Sequence, residues 1–253
     1  FYIPRGFVVN YNDKNVAKEF VNNLKKCIEY LVKFHSIFPQ FILLDDIELK
    51  TKYTRKYLGD TTQSKQMLKH LLKTIGIDFE ILMDYWNLPK DDDKYNFVEE
   101  MNSKIETIMR EFNKFYKQED VKLKVNFDTD SLNFVVKTNN KYLNLSERSN
   151  GLKWYLNMYI QLLAKTQKYD IENYVVLLDE PGVYLHVNAQ KEILNLFEDF
   201  TSKDNQIIYT TQLPTMIYQN DLYRTRTIIK DELGNSNIGN RYYSLPHRMS
   251  SKK

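Results

Sequence analysis

Hydrophobic residues recur at helical spacing over the first part of the chain and at strand spacing over the second. Three- and four-residue steps predict helices over about 14–38 and 63–72, and another turn or two over 79–86. Between the first two helices, 41–44 is a compact apolar run that predicts a short strand. The opening residues 1–9 are aromatic and β-branched, and a proline confines them to an edge strand or a loop. The first part of the chain is therefore predicted to be mainly helical.

Apolar residues step by four and three along the helix predicted to follow Asp91, Asp92 and Asp93. The members of this seam are Met101, Ile105, Ile108, Phe112 and Phe115. Since two to three repeats are too short for a stable free coiled coil, we expect the helix to pack on a neighbouring helix. The three aspartates are either an acidic lead-in, which the helix dipole favours, or a metal site.

Around Gln118 the period changes from helix to strand. Residues 121–127 alternate apolar and polar side chains, 128–131 have the composition of a turn, and 132–136 form a returning apolar run. The pattern predicts a β-hairpin directly before the part of the chain that carries candidate chemistry.

Four polar motifs follow the hairpin, each beside a predicted helix or strand. They are Leu-Ser-Glu-Arg-Ser-Asn-Gly at 145–151, Asp-Glu after the apolar run 174–178, Gly-Val-Tyr-Leu-His at 182–186 and Thr-Thr-Gln at 210–212. Taken singly, each has a structural explanation: Ser149 can cap the helix predicted from about Leu152 to Lys168, and paired carboxylates end another apolar run at Asp45. Taken in this order, they predict a parallel α/β sheet, whose ligands lie beyond the carboxyl ends of its strands.

The carboxyl ends of these strands bring Asp179, Glu180 and Gln212 to one edge of the sheet. An aspartate there can hold Mg²⁺ through its water shell, and the adjacent glutamate can accept a proton from an attacking water. Ser149 and Gly151, at a helix N-terminus, offer backbone N–H donors and room for a phosphate. These residue types in this order point to phosphoryl transfer.

The stretch 119–230 resembles the C-terminal half of an ABC-type ATPase head, as found in SMC, RecF and OLD-family (overcoming lysogenisation defect) proteins. The resemblance is closest to the OLD-like ATP-binding proteins of bacterial phage-defence systems, Septu and Gabija ATPases among them. Residues 149–153 look like the ABC signature, and Ser-Glu-Arg at 146–148 is typical of the OLD-like branch. The motif at 174–180 looks like Walker B, 182–186 like the D-loop, and 209–214 like the switch segment.

This resemblance implies an α/β fold: the C-terminal half of a P-loop ABC-type ATPase head with an inserted helical arm and a β-hairpin. Residues 1–9 would be a remnant of the N-terminal lobe, 10–118 the arm, and 119–253 the C-terminal lobe. The cofactors it implies are ATP and Mg²⁺. The implied site residues are Asp179 for the metal, Glu180 as general base with Gln212, Arg148, Ser149, Asn150 and Gly151 for nucleotide, and Gly182, Tyr184 and His186 in the D-loop.

Three departures from the family pattern qualify these expectations. Gln212 stands where the family usually has histidine, and glutamine can hydrogen-bond a phosphate but cannot become cationic, so we expect slow hydrolysis. Asn150 and Leu152 replace the signature glycine and glutamine, which weakens the expected contacts to nucleotide bound by a second head. No Gly-x-x-x-x-Gly-Lys-Ser/Thr occurs in the sequence, so we expect the P-loop to lie outside these residues.

The function implied is an ATP-binding and hydrolysing subunit whose heads dimerise around nucleotide and control a DNA-directed, nuclease-linked defence complex. Two alternatives stay open: a catalytically degenerate scaffold or sensor, and a DNA-binding structural protein of the SMC/RecF type. Lysines at 65, 69, 73, 122 and 124 either track a DNA backbone or cover solvated faces.

The composition argues against some classes of protein but does not choose among these functions. The chain has 253 residues and a net charge of +3, too small to imply a nucleic-acid binder by itself. A single cysteine, Cys27, permits no internal disulfide and fits a reducing cytoplasm. No apolar run is long enough to span a membrane. Four scattered histidines give no metal pattern, and Asp45 with Asp46 lacks a third carboxylate at a spacing that would suggest a nuclease.

Overall fold

The computed structural model describes residues 40–59, 64–87, 91–128, 131–138, 141–166, 174–202, 205–230 and 236–239. The elements predicted over 1–9 and 14–38 lie outside these residues, as does Cys27. The described chain falls into two compact units. One contains 40–43, 174–183 and the residues from 197 onward, and the other contains 44–166 and 184–196.

The first unit is built on a parallel sheet. Its described strands are β1 (Gln40–Leu43), β6 (Tyr174–Leu178) and β7 (Gln206–Tyr209), in the order β1-β6-β7. Every residue of β6 is buried, as expected for the central one of three parallel strands. The predicted α/β class with a parallel sheet is confirmed.

Helix α6 (Val187–Thr201) lies between β6 and β7 in sequence, so the strand–helix–strand order read from the sequence is present. The unit closes with 3₁₀ turns at Pro214–Met216 and Leu222–Arg224 and a hairpin of β8 (Thr227–Lys230) and β9 (Ser236–Gly239). The sequence pattern did not predict this last hairpin, whose strands have four residues each.

The second unit contains an antiparallel sheet centred on β4 (Ser131–Thr138). Strand β3 (Lys122–Asp128) pairs along one side of β4, which confirms the predicted hairpin. Strands β2 (Lys52–Thr54) and β5 (Lys141–Asn144) pair with successive parts of β4 and were not predicted. Along β3 Leu123 and Val125 are buried, Phe127 is half-buried and the lysines are exposed, as the period-two pattern predicts.

Five described helices complete this unit, together with the N-terminal part of α6. They are α1 (Arg55–Gly59), α2 (Ser64–Thr74), α3 (Phe79–Asn87), α4 (Asp91–Phe115) and α5 (Asn150–Thr166). The helices predicted over 63–72 and 79–86 are thus present as α2 and α3. The helix predicted to begin at Leu152 begins two residues earlier.

The buried face of α4 differs from the predicted heptad seam. Met101, Ile105 and Phe112 are buried as expected, but Met109 takes the place of Ile108, which is only half-buried. The helix packs mainly on β3, with aromatic contacts from Phe112 to α5. A flat sheet surface accepts a wider apolar stripe than a coiled-coil partner does, so the step becomes four, four and three. The expected packing on a neighbouring helix is present through Phe112, and the packing on β3 was not predicted.

Two asparagines of α4 hydrogen-bond the outer backbone edge of β3. The Asn102 amide donates from Nδ2 to the carbonyl of Val125 at 3.0 Å and accepts the Val125 N–H at 2.8 Å. Asn113 makes the same pair of bonds to Val121, at 3.0 and 3.1 Å. Each carboxamide therefore occupies the place that a neighbouring strand would take in a wider sheet.

Replacing Asn102 with alanine is expected to lower the free energy of unfolding by about 1–3 kcal/mol, because both Val125 backbone groups lose their partner. Urea denaturation measures the change. The matched control is Asn96→Ala, which makes the same substitution at an exposed position of the same helix. Equal stability of the two variants would show that water replaces the Asn102 bonds without cost.

Among the described residues, no helix is both long enough and apolar enough to cross a bilayer.

Candidate functional site

Two carboxylates lie directly beyond the carboxyl end of β6. Asp179 is exposed and Glu180 is half-buried. Glu180 has a backbone φ of 45°, in the left-handed region that residues with a Cβ seldom adopt. Gly182, two residues on, has a φ of 84°, which only glycine takes up freely. The chain therefore turns sharply after β6 and presents two adjacent acidic side chains at the sheet edge.

Thr210, the first residue after β7, hydrogen-bonds both of these acidic residues. Its hydroxyl accepts a hydrogen bond from the Glu180 backbone N–H at 3.0 Å and donates one to Asp179 Oδ1 at 2.6 Å. Its own backbone N–H donates to the Leu178 carbonyl at 3.1 Å, which extends the pairing of β6 with β7 by one residue. The sequence analysis gave Thr210 no role. The available signal was a threonine placed where an apolar parallel strand ends beside a strand with terminal carboxylates.

Gln212 is an exposed residue that reaches the same edge. Its Nε2 donates a hydrogen bond to Glu180 Oε1 at 2.6 Å. Asp179, Glu180 and Gln212 therefore lie together, joined through Thr210 and the 2.6 Å amide–carboxylate bond.

The segment that follows Gln212 is anchored to β7. The Tyr209 hydroxyl donates to the Met216 carbonyl at 2.5 Å, and the Thr211 hydroxyl accepts the Leu213 N–H at 3.0 Å. Burial raises the pKa of the Tyr209 phenol, so it remains a neutral donor at physiological pH. The backbone on both sides of Gln212 is thus fixed while its side chain stays exposed.

The predicted signature residues begin helix α5 in the second unit. Ser149 is the N-cap: its hydroxyl accepts the Leu152 N–H at 3.2 Å. This bond explains why the helix starts at Asn150 instead of Leu152. Asn150 is exposed, with its side chain available at the helix N-terminus.

Arg148 is held by an ion pair. Its Nη2 contacts both carboxylate oxygens of Glu119, and the two side chains are only 13% and 21% exposed. The Nε of Arg148 is buried and has no hydrogen-bond partner among the described residues. In this arrangement the guanidinium is occupied by the protein itself, so a contact with nucleotide would require it to leave Glu119 or to use another of its donors.

Gly151 lies in close contact with the predicted D-loop. A Cβ at this position would lie 2.9 Å from the Tyr184 carbonyl oxygen and 3.6 Å from a methyl of Leu185. The absence of a side chain therefore lets the first turn of α5 approach this loop, a packing reason for glycine that the sequence analysis did not consider. Tyr184 and His186 themselves are exposed.

Gly151→Ala is expected to destabilise the nucleotide-free protein by about 1–3 kcal/mol, since the new methyl must displace backbone atoms. Thermal unfolding without ligand checks this, with Asn150→Ala as the control on the preceding, exposed residue. An unchanged melting temperature for Gly151→Ala would leave phosphate approach as the better reason for the glycine.

Other candidates from the sequence have structural partners. Asp45 forms an ion pair with Lys165 at 2.7 Å, and its backbone groups bond the side-chain amide of Gln161 at 2.8 and 2.9 Å. The three α2 lysines are also engaged: Lys65 bonds the Leu58 carbonyl, Lys69 lies over the Phe79 ring, and Lys73 donates to the Ala164 carbonyl at 2.5 Å. No three acidic, histidine or cysteine side chains within the described ranges come together as a metal-binding group.

Three known proteins are similar to parts of this chain. Over 96 residues the chain is 38% identical to the uncharacterized protein MJECL43 of Methanocaldococcus jannaschii, covering 36% of this chain and 24% of that protein. A solved SMC head bound to the C-winged helix domain of ScpA covers 68% of this chain at 16% identity, with a TM-score of 0.42. The SMC head domain of Thermotoga maritima covers 55% at 16% identity, with a TM-score of 0.36. The chain spans 24% of the curated relative and 53% and 46% of the two heads.

A family match covers most of the site. Residues 44–217 fit the family described as "AAA domain, putative AbiEii toxin, Type IV TA system". This range includes the signature-like segment, both carboxylates of β6 and Gln212. The chain belongs to this AAA-domain family.

Proposed function

We propose that this protein is an ATP-binding and hydrolysing subunit of an OLD-like ABC ATPase, whose heads dimerise with nucleotide between them. The observation that carries the proposal is a pair of acidic residues, Asp179 and Glu180, at the end of a buried parallel strand. Thr210 bonds the Asp179 carboxylate and the Glu180 backbone N–H, and Gln212 bonds the Glu180 carboxylate. A sheet edge of this kind is where parallel α/β folds bind their ligands.

The residues present fit a nucleotide-bound Mg²⁺. This ion commonly takes one or two carboxylates, keeps several waters and completes its shell with phosphate oxygens. Asp179 is exposed, and its Oδ1 accepts a hydrogen bond from the Thr210 hydroxyl. A single exposed aspartate fits this mode of binding, in which waters and phosphate oxygens are the other ligands. It does not fit a site in which the protein supplies every ligand. When bound, Mg²⁺ would neutralise charge on the phosphates.

In the proposed reaction, water attacks the γ-phosphorus of ATP, the bond to the β-γ bridging oxygen breaks, and ADP and phosphate leave. Glu180 accepts the proton of the attacking water. Gln212 orients the Glu180 carboxylate through its Nε2 and can hydrogen-bond a phosphate or the water, but supplies no positive charge. We therefore propose a slow turnover, set by the missing cation at this position.

The signature-like and D-loop residues would face nucleotide held by a second head. Ser149, Asn150 and Gly151 start the 17-residue helix α5, whose N-terminus favours anions. Because the Ser149 hydroxyl caps the helix, backbone N–H groups and Asn150 are the donors that we propose for the phosphate. Gly182, Tyr184 and His186 would line the same interface.

The cellular role that we propose is control of a DNA-directed, nuclease-linked anti-phage complex. It is supported by the likeness of Ser146-Glu147-Arg148 to the OLD-like branch. Residues 10–118 would be an inserted arm that meets DNA or the nuclease partner, and 119–253 the C-terminal lobe, with 1–9 a remnant of the other lobe.

A second candidate, a nucleotide-independent scaffold or sensor, is favoured by a different observation. Arg148 is held by Glu119, and Gln212 replaces the usual histidine. In that case the head-like fold would organise an assembly without turning over ATP.

Turnover of ATP by the purified full-length protein, with and without Mg²⁺, distinguishes the two. Light scattering on the same samples reports whether ATP doubles the mass. Mg²⁺-dependent turnover with ATP-dependent dimers supports the ATPase. Neither turnover nor a change in mass, with the assembly intact, supports the scaffold.

A further inference from the structure

Thr210 is a buried residue at the point where β6 and β7 end. It is 3% exposed and follows β7 directly. Its backbone N–H bonds the Leu178 carbonyl, so the residue is fixed to the end of β6 independently of its side chain. The hydroxyl therefore projects from a backbone that the sheet itself holds in place.

That hydroxyl makes two bonds of opposite sense. As an acceptor it takes the Glu180 N–H at 3.0 Å, and as a donor it bonds Asp179 Oδ1 at 2.6 Å. A threonine hydroxyl has one proton and two lone pairs, so it satisfies both at once. One side chain thus fixes the carboxylate of one acidic residue and the backbone of the next.

The backbone of Glu180 needs such support. Its φ of 45° lies in a region that residues with a Cβ rarely occupy, and conformations of this kind persist only where their surroundings determine them. The bond from Glu180 N–H to Thr210 acts at the strained residue itself, and the Gln212 amide holds the other end of the side chain.

We propose that Thr210 is a positioning residue that holds Asp179 and Glu180 in one geometry. The carboxylate proposed to hold the metal and the carboxylate proposed to take the proton of water then keep a fixed position relative to each other. The inference rests on the proposed function for its effect on turnover. Its structural part, the hold on the Glu180 backbone, applies to the nucleotide-free protein as well.

The chain supplies a matched control in the next residue. Thr211 is 1% exposed, and its hydroxyl accepts the Leu213 N–H without touching either carboxylate. Thr210→Val and Thr211→Val therefore replace a hydroxyl by a methyl group at two adjacent buried positions. Thr210→Ser keeps the hydroxyl and removes only the methyl.

Two readouts in the full-length protein test the proposal. We expect Thr210→Val to lower kcat for ATP by about 10- to 100-fold with little change in KM, because the reacting groups are misplaced and not lost. We expect hydrogen exchange at the Glu180 amide, measured without nucleotide, to accelerate in the same variant. Thr210→Ser should keep both near the wild-type values, and Thr211→Val should leave the exchange of the Glu180 amide near the wild-type rate.

The outcomes separate this inference from the proposed function. Faster Glu180 exchange in Thr210→Val alone, without turnover by the wild type, would support the hold on the backbone and overturn the ATPase proposal. Wild-type turnover with unchanged Glu180 exchange would overturn the positioning role and leave the ATPase standing. Equal defects in Thr210→Val and Thr210→Ser, or equally fast Glu180 exchange in Thr210→Val and Thr211→Val, would overturn it too, since packing and not the Thr210 hydroxyl would then be responsible.

Discussion

Replacement of Glu180 by glutamine is expected to lower kcat for ATP hydrolysis by about 10²- to 10⁴-fold, the range for loss of a general base. The amide has nearly the shape of the carboxylate but cannot take up the proton of an attacking water. Its carbonyl oxygen can still accept the hydrogen bond from Gln212 Nε2, and the Glu180 N–H bond to Thr210 involves only the backbone. The variant should therefore fold and bind nucleotide normally.

The same variant is expected to accumulate as an ATP-bound dimer, because a nucleotide that joins two heads is no longer removed by hydrolysis. Phosphate release measures the turnover, and light scattering with ATP measures the mass. Glu106→Gln is the matched control, an identical substitution at an exposed position of α4. Turnover by Glu180→Gln equal to that of the control would falsify the assignment of Glu180 as the base.

Phe112→Ala is expected to lower the free energy of unfolding by about 3–5 kcal/mol, the usual cost of removing a fully buried aromatic ring. Phe112 has no exposed surface, and its ring meets Tyr155 and Tyr159 edge-on and stacks on Tyr116, each at 5.4 Å between centroids. Since these tyrosines hold α4 and α5 together, the cavity has little freedom to collapse.

Urea denaturation measures this effect as a shift in midpoint at constant slope. The control is Tyr95→Ala on the same helix, where the ring is 67% exposed and the expected change is within about 0.5 kcal/mol. A loss below about 1 kcal/mol for Phe112→Ala would mean that the aromatic cluster repacks around the missing ring.

The parts of the fold that the sequence predicted are those with a strong local period. The alternation along β3 and the apolar run of β6 each identify a strand without knowledge of its neighbours. The order of β6, α6 and β7 then implies a parallel pair, since short connections through a helix leave few other arrangements. Asp179, Glu180 and Gln212 follow from that order because all three lie at carboxyl ends.

The parts that could not be predicted depend on partners distant in sequence. The pairing of Phe41 with Val175 joins residues that lie far apart in the sequence, and no local pattern encodes it. The bond between Thr210 and Asp179 likewise appears only once β6 and β7 lie side by side. For α4, the sequence predicted the helical period but not the packing on a sheet. Met109 is therefore buried at the position where a heptad seam predicted Ile108.

Gly151 illustrates how one residue type can satisfy two explanations. From the sequence, a glycine at a helix N-terminus suggested room for a phosphate. In the folded chain the same glycine makes room for the Tyr184 carbonyl. Spacing alone could not choose between them, because the close approach of α5 to the loop at 184–186 is a property of the tertiary structure.

The carboxamides of Asn102 and Asn113 have a consequence for how copies of this protein can meet. An unpaired strand edge is a template on which another chain can add a strand, and such addition leads towards aggregation. At Val121 and Val125 both backbone groups of the outer β3 edge are already taken by α4. A copy that approaches this edge finds the backbone groups at these two positions already bonded, so self-association through β3 is disfavoured while α4 stays docked. A chain whose proposed activity depends on reversible, nucleotide-controlled pairing is thereby protected at this edge from an irreversible way of pairing.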